Sequence, residues 1–247
     1  MKRNLLLISN STNAGENYLA WPRKYITEFL KKFRTGKVLF IPFAGVNLIP
    51  AGPGKSFDVY EGRVKKVFGE LGFDLESIHR KASPLDSIFK AEAIVVGGGN
   101  TFHLVKVLHE TGMMSAIRER VLTGIPFVGW SAGANVACPT MRTTNDMPIS
   151  QPLSFDCLGL VPFQINPHYL DVNPAGHGGE TREQRILEFL AVNREVTVAG
   201  LREATLLRIE GKKIRLMGSR SLRVFRFGLE PKEIAPGKDC SLLLANS

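Results

Sequence analysis

The sequence predicts an α/β protein whose mostly parallel sheet carries helices on both faces. Short apolar runs alternate with longer segments of helical spacing from residue 5 to residue 130. Two of these runs end in glycine-rich turns, at residues 97–99 and 129–133, and each turn leads into a segment of helix-forming residues. Because sites in parallel sheets lie beyond the carboxyl ends of the strands, we expect both turns at one functional edge.

The strand candidates are short apolar runs that turn residues bound on each side. They lie at 5–8, 37–42, 73–78, 93–96, 125–128, 160–165, 195–201, 205–210, 213–217 and 221–227. Gly211 and Lys212 separate two of these runs, which is typical of a hairpin, so we expect a C-terminal β-hairpin region. The tail after residue 228 is weakly patterned.

The helix candidates carry apolar side chains three and four residues apart, which gives each of them one apolar face. They lie at 21–33, 57–71, 84–90, 102–108 and 181–191. The last one begins with capping-box spacing between Thr181 and Gln184. No repeat, low-complexity segment or linker interrupts the pattern, so we expect a single α/β domain over residues 1–247.

Composition and charge narrow the classes of protein. The chain is 44% apolar and carries a net charge of +9, from 32 Lys and Arg against 23 Asp and Glu. The basic residues are scattered and do not alternate with aromatic residues, so we expect no nucleic-acid partner. No apolar run approaches the ~20 residues of a membrane helix, and the one at the start is too short for a signal peptide. We therefore expect no membrane partner.

The cysteine content indicates the compartment. Cys138, Cys157 and Cys240 make an odd count and form no C-x-x-C pair. Neither a disulfide framework nor a zinc site is indicated. We therefore expect a cytoplasmic protein without a metal ion or another cofactor.

Residues 129–133 read Gly-Trp-Ser-Ala-Gly between an apolar strand and small helix-forming residues, which is the arrangement of a nucleophile elbow. A nucleophilic Ser131 must stand clear of its own strand, which requires a sharp and strained turn. Gly129 and Gly133 would let neighbouring backbone approach without a clash. The alternative is an ordinary strand-to-helix turn with an inert serine, because so short a pattern also occurs by chance.

A serine nucleophile needs a base, and His168 has the best predicted position among the histidines. It follows Asn166 and Pro167 directly after the strand at 160–165. We expect it at the carboxyl edge of the same parallel sheet, beside Ser131; a structural histidine is the alternative. The other histidines are expected on surfaces, helix faces or loops: His79, His103, His109 and His177.

The base in turn needs an acid that holds its tautomer, and two carboxylates are candidates. Glu203 follows the strand at 195–201, and Asp146 lies in the loop after the elbow helix. The residues alone leave both open. The backbone amides of Ala132 and Gly99 are the expected donors of an oxyanion hole. The alternative for the turn at 97–99 is a phosphate cradle, although it lacks the spacing of a nucleotide-binding loop.

A set of co-linear motifs between residues 4 and 227 resembles peptidase E, the α-aspartyl dipeptidase family of serine peptidases. The motifs lie at 10–12, 41–46, 96–102, 129–135, 142–148, 164–168 and 179–185. The resemblance implies a flavodoxin-like fold related to class I glutamine amidotransferases, with serine where those enzymes carry cysteine. It also implies hydrolysis of dipeptides with an N-terminal aspartate, without a metal ion.

The resemblance also implies roles for single residues. By it, Ser131 is the nucleophile, His168 the base and Glu203 the third member. Asp146 matches an aspartate also assigned to the charge relay. Arg182 matches a candidate for binding the aspartate side chain of the substrate.

A substrate carboxylate in a partly dry site needs a cation, preferably an arginine. Arg182 opens a predicted helix, whose N-terminal dipole favours an anion, and Arg142 in the polar loop is the second choice. Pairing of Arg182 with a nearby carboxylate on the surface is the alternative. Two other functions stay open: a cyanophycinase-like serine peptidase acting on an aspartate-rich polymer, and a catalytically silent binding module. The expected partner is a small dipeptide, and the expected assembly is a monomer or a homodimer.

Overall fold

The computed structural model describes residues 2–173, 175–176 and 178–244. Its strands are β1 (Asn4–Ile8), β2 (Lys37–Ile41), β3 (Asp74–Ser77), β4 (Ile94–Val96), β5 (Pro126–Trp130), β6 (Gln164–Tyr169), β7 (Val198–Arg202), β8 (Thr205–Glu210), β9 (Lys213–Gly218), β10 (Leu222–Phe225) and β11 (Lys232–Ile234). Its α-helices are α1 (Arg23–Lys32), α2 (Pro53–Glu70), α3 (Pro84–Lys90), α4 (Thr101–Glu110), α5 (Met113–Leu122), α6 (Ala132–Asn135) and α7 (Arg182–Val192).

A seven-stranded sheet forms the centre of the fold, in the order β3-β2-β4-β5-β1-β8-β9. The strands from β3 to β1 are parallel to one another. β8 runs antiparallel to β1, and β9 runs antiparallel to β8. Gly211, with a φ of 61°, lies in the turn between β8 and β9. The predicted class, a mostly parallel sheet with a C-terminal hairpin, is confirmed.

Helices cover both faces of this sheet, and β1 shows how the sequence encodes it. Leu5 and Leu7 belong to one apolar cluster, while Leu6 and Ile8 belong to another, because successive side chains of a strand point to opposite faces. The first cluster includes residues of α3, α4 and α5, and the second includes residues of α1 and α2. Because β1 is apolar on both of its faces, the sheet needs a layer of helices on each side, which gives three layers in all.

β6, which carries the predicted base, and β7, which precedes Glu203, belong to a second sheet of four strands in the order β11-β10-β7-β6. The expectation that these two strands continue the sheet of Ser131 is wrong. β1 already pairs with β5 on one side and with β8 on the other. Neither edge of β1 is therefore open to β6 or β7, which instead pair in parallel with each other. Some residues of β6, β7 and β10 form a separate apolar cluster with α7, while others belong to the first cluster of the central sheet. The separate cluster consists of Tyr169, Ile186, Leu190, Val198 and Phe225.

Several predicted boundaries also differ from the structure. β6 starts later than expected and continues through Pro167 and His168, which therefore lie inside a strand. The register shifts between Pro167 and Tyr169, and such an irregularity accommodates a proline that cannot donate a ladder hydrogen bond. The helix after Ser131 is one short turn. Helix α5 was missed, although its buried residues stand at helical spacing.

The described part of the chain holds no helix that is both long and apolar enough to cross a membrane.

Candidate active site

Ser131 lies at the sharp turn between β5 and α6, with φ 53° and ψ −115°. A residue with a side chain rarely adopts a positive φ, so the turn is strained. A Cβ added to Gly129 would lie 2.2 Å from the carbonyl oxygen of Gly133, so only glycine permits this approach. The local geometry is therefore that of a nucleophile elbow.

The His168 ring links Ser131 to Glu203. Its Nε2 lies 2.9 Å from the Ser131 Oγ, and its Nδ1 lies 2.8 Å from the Glu203 Oε1. A carboxylate can only accept, so Nδ1–H donates to Glu203 and leaves Nε2 free to accept the serine proton. The three side chains thus form one continuous hydrogen-bonded chain, although they come from two different sheets.

The end of β1 joins the two sheets at this point. The Ser9 hydroxyl accepts from the His168 amide at 3.0 Å and donates to the Leu201 carbonyl at 2.7 Å. The Asn10 side chain accepts from the Ala204 amide at 2.8 Å. These three contacts fix backbone that flanks the His168 and Glu203 side chains. Ser9 and Asn10 were not predicted as positioning residues, although Asn10 belongs to the motif at 10–12, directly after a buried strand.

A buried arginine fixes the strand end before Glu203. Arg202 is only 8% exposed, and its Nε donates to the Asp171 Oδ2 at 2.9 Å. Its guanidinium also donates to the Glu233 Oε1 at 2.8 Å. Arg202 is thus engaged by two carboxylates and is not available to pair with Glu203.

The second glycine-rich turn lies beside Ser131. Gly99 has a φ of 136°, and a Cβ there would lie 2.1 Å from the Ala44 carbonyl oxygen. Only glycine fits this position. The described hydrogen bonds leave the backbone amides of Gly99 and Ala132 unused. Both amides are therefore available as donors beside the serine hydroxyl.

A cavity of about 410 Å³ opens over the elbow. Its lining includes Ser131, His168 and Gly99 together with an aromatic wall of Tyr18, Tyr60 and Trp130. The Tyr60 hydroxyl lies 3.0 Å from the Trp130 Nε1 and 3.3 Å from the Tyr18 hydroxyl. Burial raises the pKa of both tyrosines, so the hydroxyls stay neutral. The cavity is thus a partly apolar chamber with the candidate nucleophile in its wall.

The sequence matches a known protein family. The family model described as peptidase family S51 matches residues 5–217. The chain belongs to peptidase family S51. The resemblance predicted from the motifs is therefore confirmed, and this S51 chain is a serine peptidase.

Two relatives and one solved structure show how far the similarity extends. A protein named Peptidase E from Nostoc sp. is 48% identical over 244 residues, which cover 99% of this chain and 98% of the relative. Another, from Streptomyces coelicolor, is 46% identical over 242 residues, or 98% of this chain and 95% of the relative. The crystal structure of a peptidase from an acI-B1 Actinobacterium superposes with a TM-score of 0.70 at 18% identity. It covers 97% of this chain and 96% of that one, and it shows the shared fold.

In the described part of this S51 peptidase, the hydrogen bonds of Asp146 do not include the His168 imidazole. Its Oδ2 accepts from the Thr101 amide at 2.7 Å, from the Thr101 hydroxyl at 2.6 Å and from the Thr144 hydroxyl at 3.0 Å. Thr101 begins α4, directly after the turn that holds Gly99. Both ring nitrogens of His168 already contact other groups. Glu203, not Asp146, is therefore the carboxylate in contact with the His168 ring.

Arg142 and Arg182 line a separate depression of about 200 Å³, together with Arg185 and Asp146. Neither arginine lines the cavity that contains Ser131. Arg142 donates to the Asn193 side chain at 2.9 Å. Burial, and secondly the charge of Arg185, lower the pKa of Arg182. The predicted substrate-binding arginines therefore line the same depression, and neither lines the cavity over the elbow.

The other histidines have partners elsewhere. The His79 ring contacts the Asp58 carboxylate at 3.1 Å. The rings of His103 and His109 contact backbone carbonyl groups at 2.8 and 2.9 Å. His177 lies outside the described residues. Among the described histidines, His168 is the one whose ring contacts Ser131.

Proposed function

We propose that this chain is a serine dipeptidase that hydrolyses dipeptides with an N-terminal aspartate through an acyl-enzyme intermediate. The observation that supports this most strongly is the hydrogen-bonded chain from Ser131 through His168 to Glu203, which begins on a strained elbow. Full-length relatives named Peptidase E support the same reaction class.

In the first step Ser131 attacks the carbonyl carbon of the N-terminal residue while His168 accepts the hydroxyl proton. The carbonyl oxygen becomes negative, and the amides of Gly99 and Ala132 stabilise it by hydrogen bonds. The C–N bond then breaks, and His168 gives its proton to the leaving amine. The N-terminal residue remains as an ester on Ser131.

In the second step water attacks the ester carbon. His168 accepts a proton from this water and returns it to the Ser131 oxygen as the free amino acid leaves. Glu203 holds the imidazole in the productive tautomer and stabilises its positive charge in both steps. Asp146 acts differently in this proposal: it fixes the first turn of α4 through Thr101 and so supports the Gly99 turn.

The aspartate side chain of the substrate requires a cation in or beside the cavity. The sequence predicts Arg182 for this role, with Arg142 second, although both line the separate depression and not the cavity of Ser131. Neither the aspartate-polymer peptidase nor the silent binding module is favoured, because the nucleophile, base and acid are all in contact and the relatives are named Peptidase E.

A substrate panel tests the proposal. The purified protein is incubated with Asp-Leu, Glu-Leu, β-linked Asp-Arg and cyanophycin, and released amino acids are quantified. We expect the highest kcat/KM for Asp-Leu and no hydrolysis by the Ser131→Ala variant. Preferential release from β-linked Asp-Arg or cyanophycin would contradict the dipeptidase proposal.

We also propose a cytoplasmic location, since Cys138, Cys157 and Cys240 are all buried and unpaired, as in proteins of a reducing compartment. Fractionation of the source cells, with Asp-Leu hydrolysis as the assay, tests this. Activity recovered mainly outside the cytoplasmic fraction would contradict it.

A further inference from the structure

One permanent positive charge lies among the described residues that line the cavity over Ser131. Among the described residues that line it, Arg63 and His168 are the side chains that can carry a positive charge, and none is a carboxylate. His168 is already engaged by Ser131 and Glu203. A substrate carboxylate that enters this cavity therefore meets Arg63 as its counter-charge.

No ion pair of the described chain includes the Arg63 guanidinium, whereas Arg202 is held by both Asp171 and Glu233. Arg63 is exposed, so its charge is solvated until a ligand covers it. An unpaired guanidinium at a cavity wall presents the planar donor fork that suits a carboxylate.

The surroundings of Arg63 position it relative to the elbow. Its Cζ lies 5.5 Å from the centroid of the Tyr18 ring, a cation–π arrangement. The Tyr18 hydroxyl contacts that of Tyr60, which also contacts the Trp130 Nε1 and the Gly98 carbonyl oxygen. Trp130 is the residue before the nucleophile. Hydrogen bonds through the Tyr60 hydroxyl thus connect Tyr18, which packs against Arg63, to both glycine-rich turns.

We propose that Arg63 binds the side-chain carboxylate of the N-terminal aspartate and so determines the specificity of the cavity for aspartate. The proposal rests on the proposed dipeptidase function and names the residue that reads its substrate. It replaces Arg182 and Arg142 in this role, because both line the other depression. The C-terminal carboxylate of the dipeptide is the other possible source of the same chemistry, and the experiment separates the two.

The experiment compares Arg63→Met and Arg63→Lys with two other variants. Lys66→Met is the matched control, because it removes one positive charge from an exposed position of α2 that does not line the cavity. Arg182→Met tests the competing residue. Each protein is assayed for kcat/KM with Asp-Leu, Asn-Leu and aspartyl p-nitroanilide, and for the rate of Ser131 labelling by a small neutral fluorophosphonate.

We expect Arg63→Met to lower kcat/KM about 10²-fold for both aspartyl substrates and to leave Asn-Leu unchanged, so that the preference for aspartate over asparagine is lost. Arg63→Lys should recover part of the loss, since a point charge remains without the fork. Lys66→Met and Arg182→Met should stay within about twofold of the wild type. An unchanged labelling rate shows that the variants are folded with an intact nucleophile.

Three results would overturn the proposal. The first is an Arg63→Met enzyme that keeps the wild-type preference for aspartate over asparagine. The second is a loss with Asp-Leu but not with aspartyl p-nitroanilide, which assigns Arg63 to the C-terminal carboxylate. The third is a lost preference in Arg182→Met alone. A wild-type enzyme that shows no preference for Asp-Leu over Asn-Leu would instead overturn the proposed function, and the Arg63 proposal with it.

Discussion

The cavity over Ser131 and the depression beside Arg182 are neighbours with opposite character. The depression is lined by Arg142, Arg182 and Arg185 with Asp146, whereas Arg63 is the permanent charge among the described residues of the cavity. The two regions meet where Asp146 accepts from Thr101, next to the Gly99 turn. The more highly charged region therefore contains the predicted binding residues, and the other contains the candidate nucleophile.

Backbone conformation separates the two regions more sharply than charge does. Ser131 and His168 both have a φ of 53°, and Gly99 has a φ of 136°. No positive φ is found among the described residues that line the depression. At Ser131 and His168, which carry side chains, a positive φ is strained, whereas Gly99 adopts it without a steric clash. Such strain persists only where the surrounding structure enforces it, and it concentrates at functional sites. The comparison indicates chemistry in the cavity and a supporting role for the depression.

Removal of the nucleophile gives the largest expected effect. We expect Ser131→Ala to lower kcat for Asp-Leu by about 10⁴-fold or more, because the attacking oxygen is lost while the rest of the cavity remains. Circular dichroism and thermal melting of the variant should match those of the wild type. Activity close to wild type would remove Ser131 from the mechanism.

Amide substitutions of Glu203 and Asp146 give the next largest expected effects and compare the acid beside the cavity with the acid in the depression. Glu203→Gln should lower kcat about 10²-fold, because a glutamine does not hold the productive tautomer of His168. The His168 and Glu203 side chains are 40% and 41% exposed, so water can replace part of this function. Asp146→Asn should lower kcat less than about tenfold, since an amide oxygen can still accept from Thr101.

The steady-state kinetics of both variants at saturating Asp-Leu decide between the acids. A larger kcat loss in Asp146→Asn than in Glu203→Gln would reverse the assignment and make the depression part of the catalytic machinery.

Thiol modification gives the smallest expected effect. Burial raises the pKa of Cys138 to about 12 and that of Cys240 to about 11, and it also raises the pKa of Cys157. Each thiol therefore stays protonated at neutral pH, and the thiol form reacts poorly. We expect the native enzyme to keep its activity with Asp-Leu after treatment with iodoacetamide. The same treatment in denaturant, followed by mass spectrometry, is the control; inactivation that parallels alkylation of the native enzyme would contradict the expectation.

The elbow and the central sheet could be predicted from the sequence because their signals are local. Residues 129–133 alone specify the sharp turn of the elbow. The alternation of short apolar runs with helical segments specifies a sheet with helices on both faces. The contact of His168 with Ser131 was expected, but for the wrong reason, since the base lies within a strand of a second sheet. The position next to β1 is taken by β8, where Leu5 pairs with Ile209, and no local pattern encodes a pairing between segments so far apart in the sequence.

The residues that were missed act over long distances in sequence. Arg63 lies on the exposed side of an amphipathic helix, where a basic residue is ordinary, and only the fold brings it to the cavity of Ser131. Ser9 contacts His168 from the far end of the chain in the same way. Arg182 stands in a distinctive motif, yet it lines the depression. A motif marks the family, whereas the cavity wall indicates which residues a substrate can reach.

Covalent labelling tests the activation of Ser131 without any assumption about the substrate, because it requires only an activated hydroxyl. The enzyme is treated with a neutral fluorophosphonate, digested and mapped by mass spectrometry. We expect a single adduct on Ser131, with loss of Asp-Leu hydrolysis in proportion to labelling, and no adduct in Ser131→Ala. An adduct on another residue, or inactivation without modification of Ser131, would contradict the proposed serine mechanism.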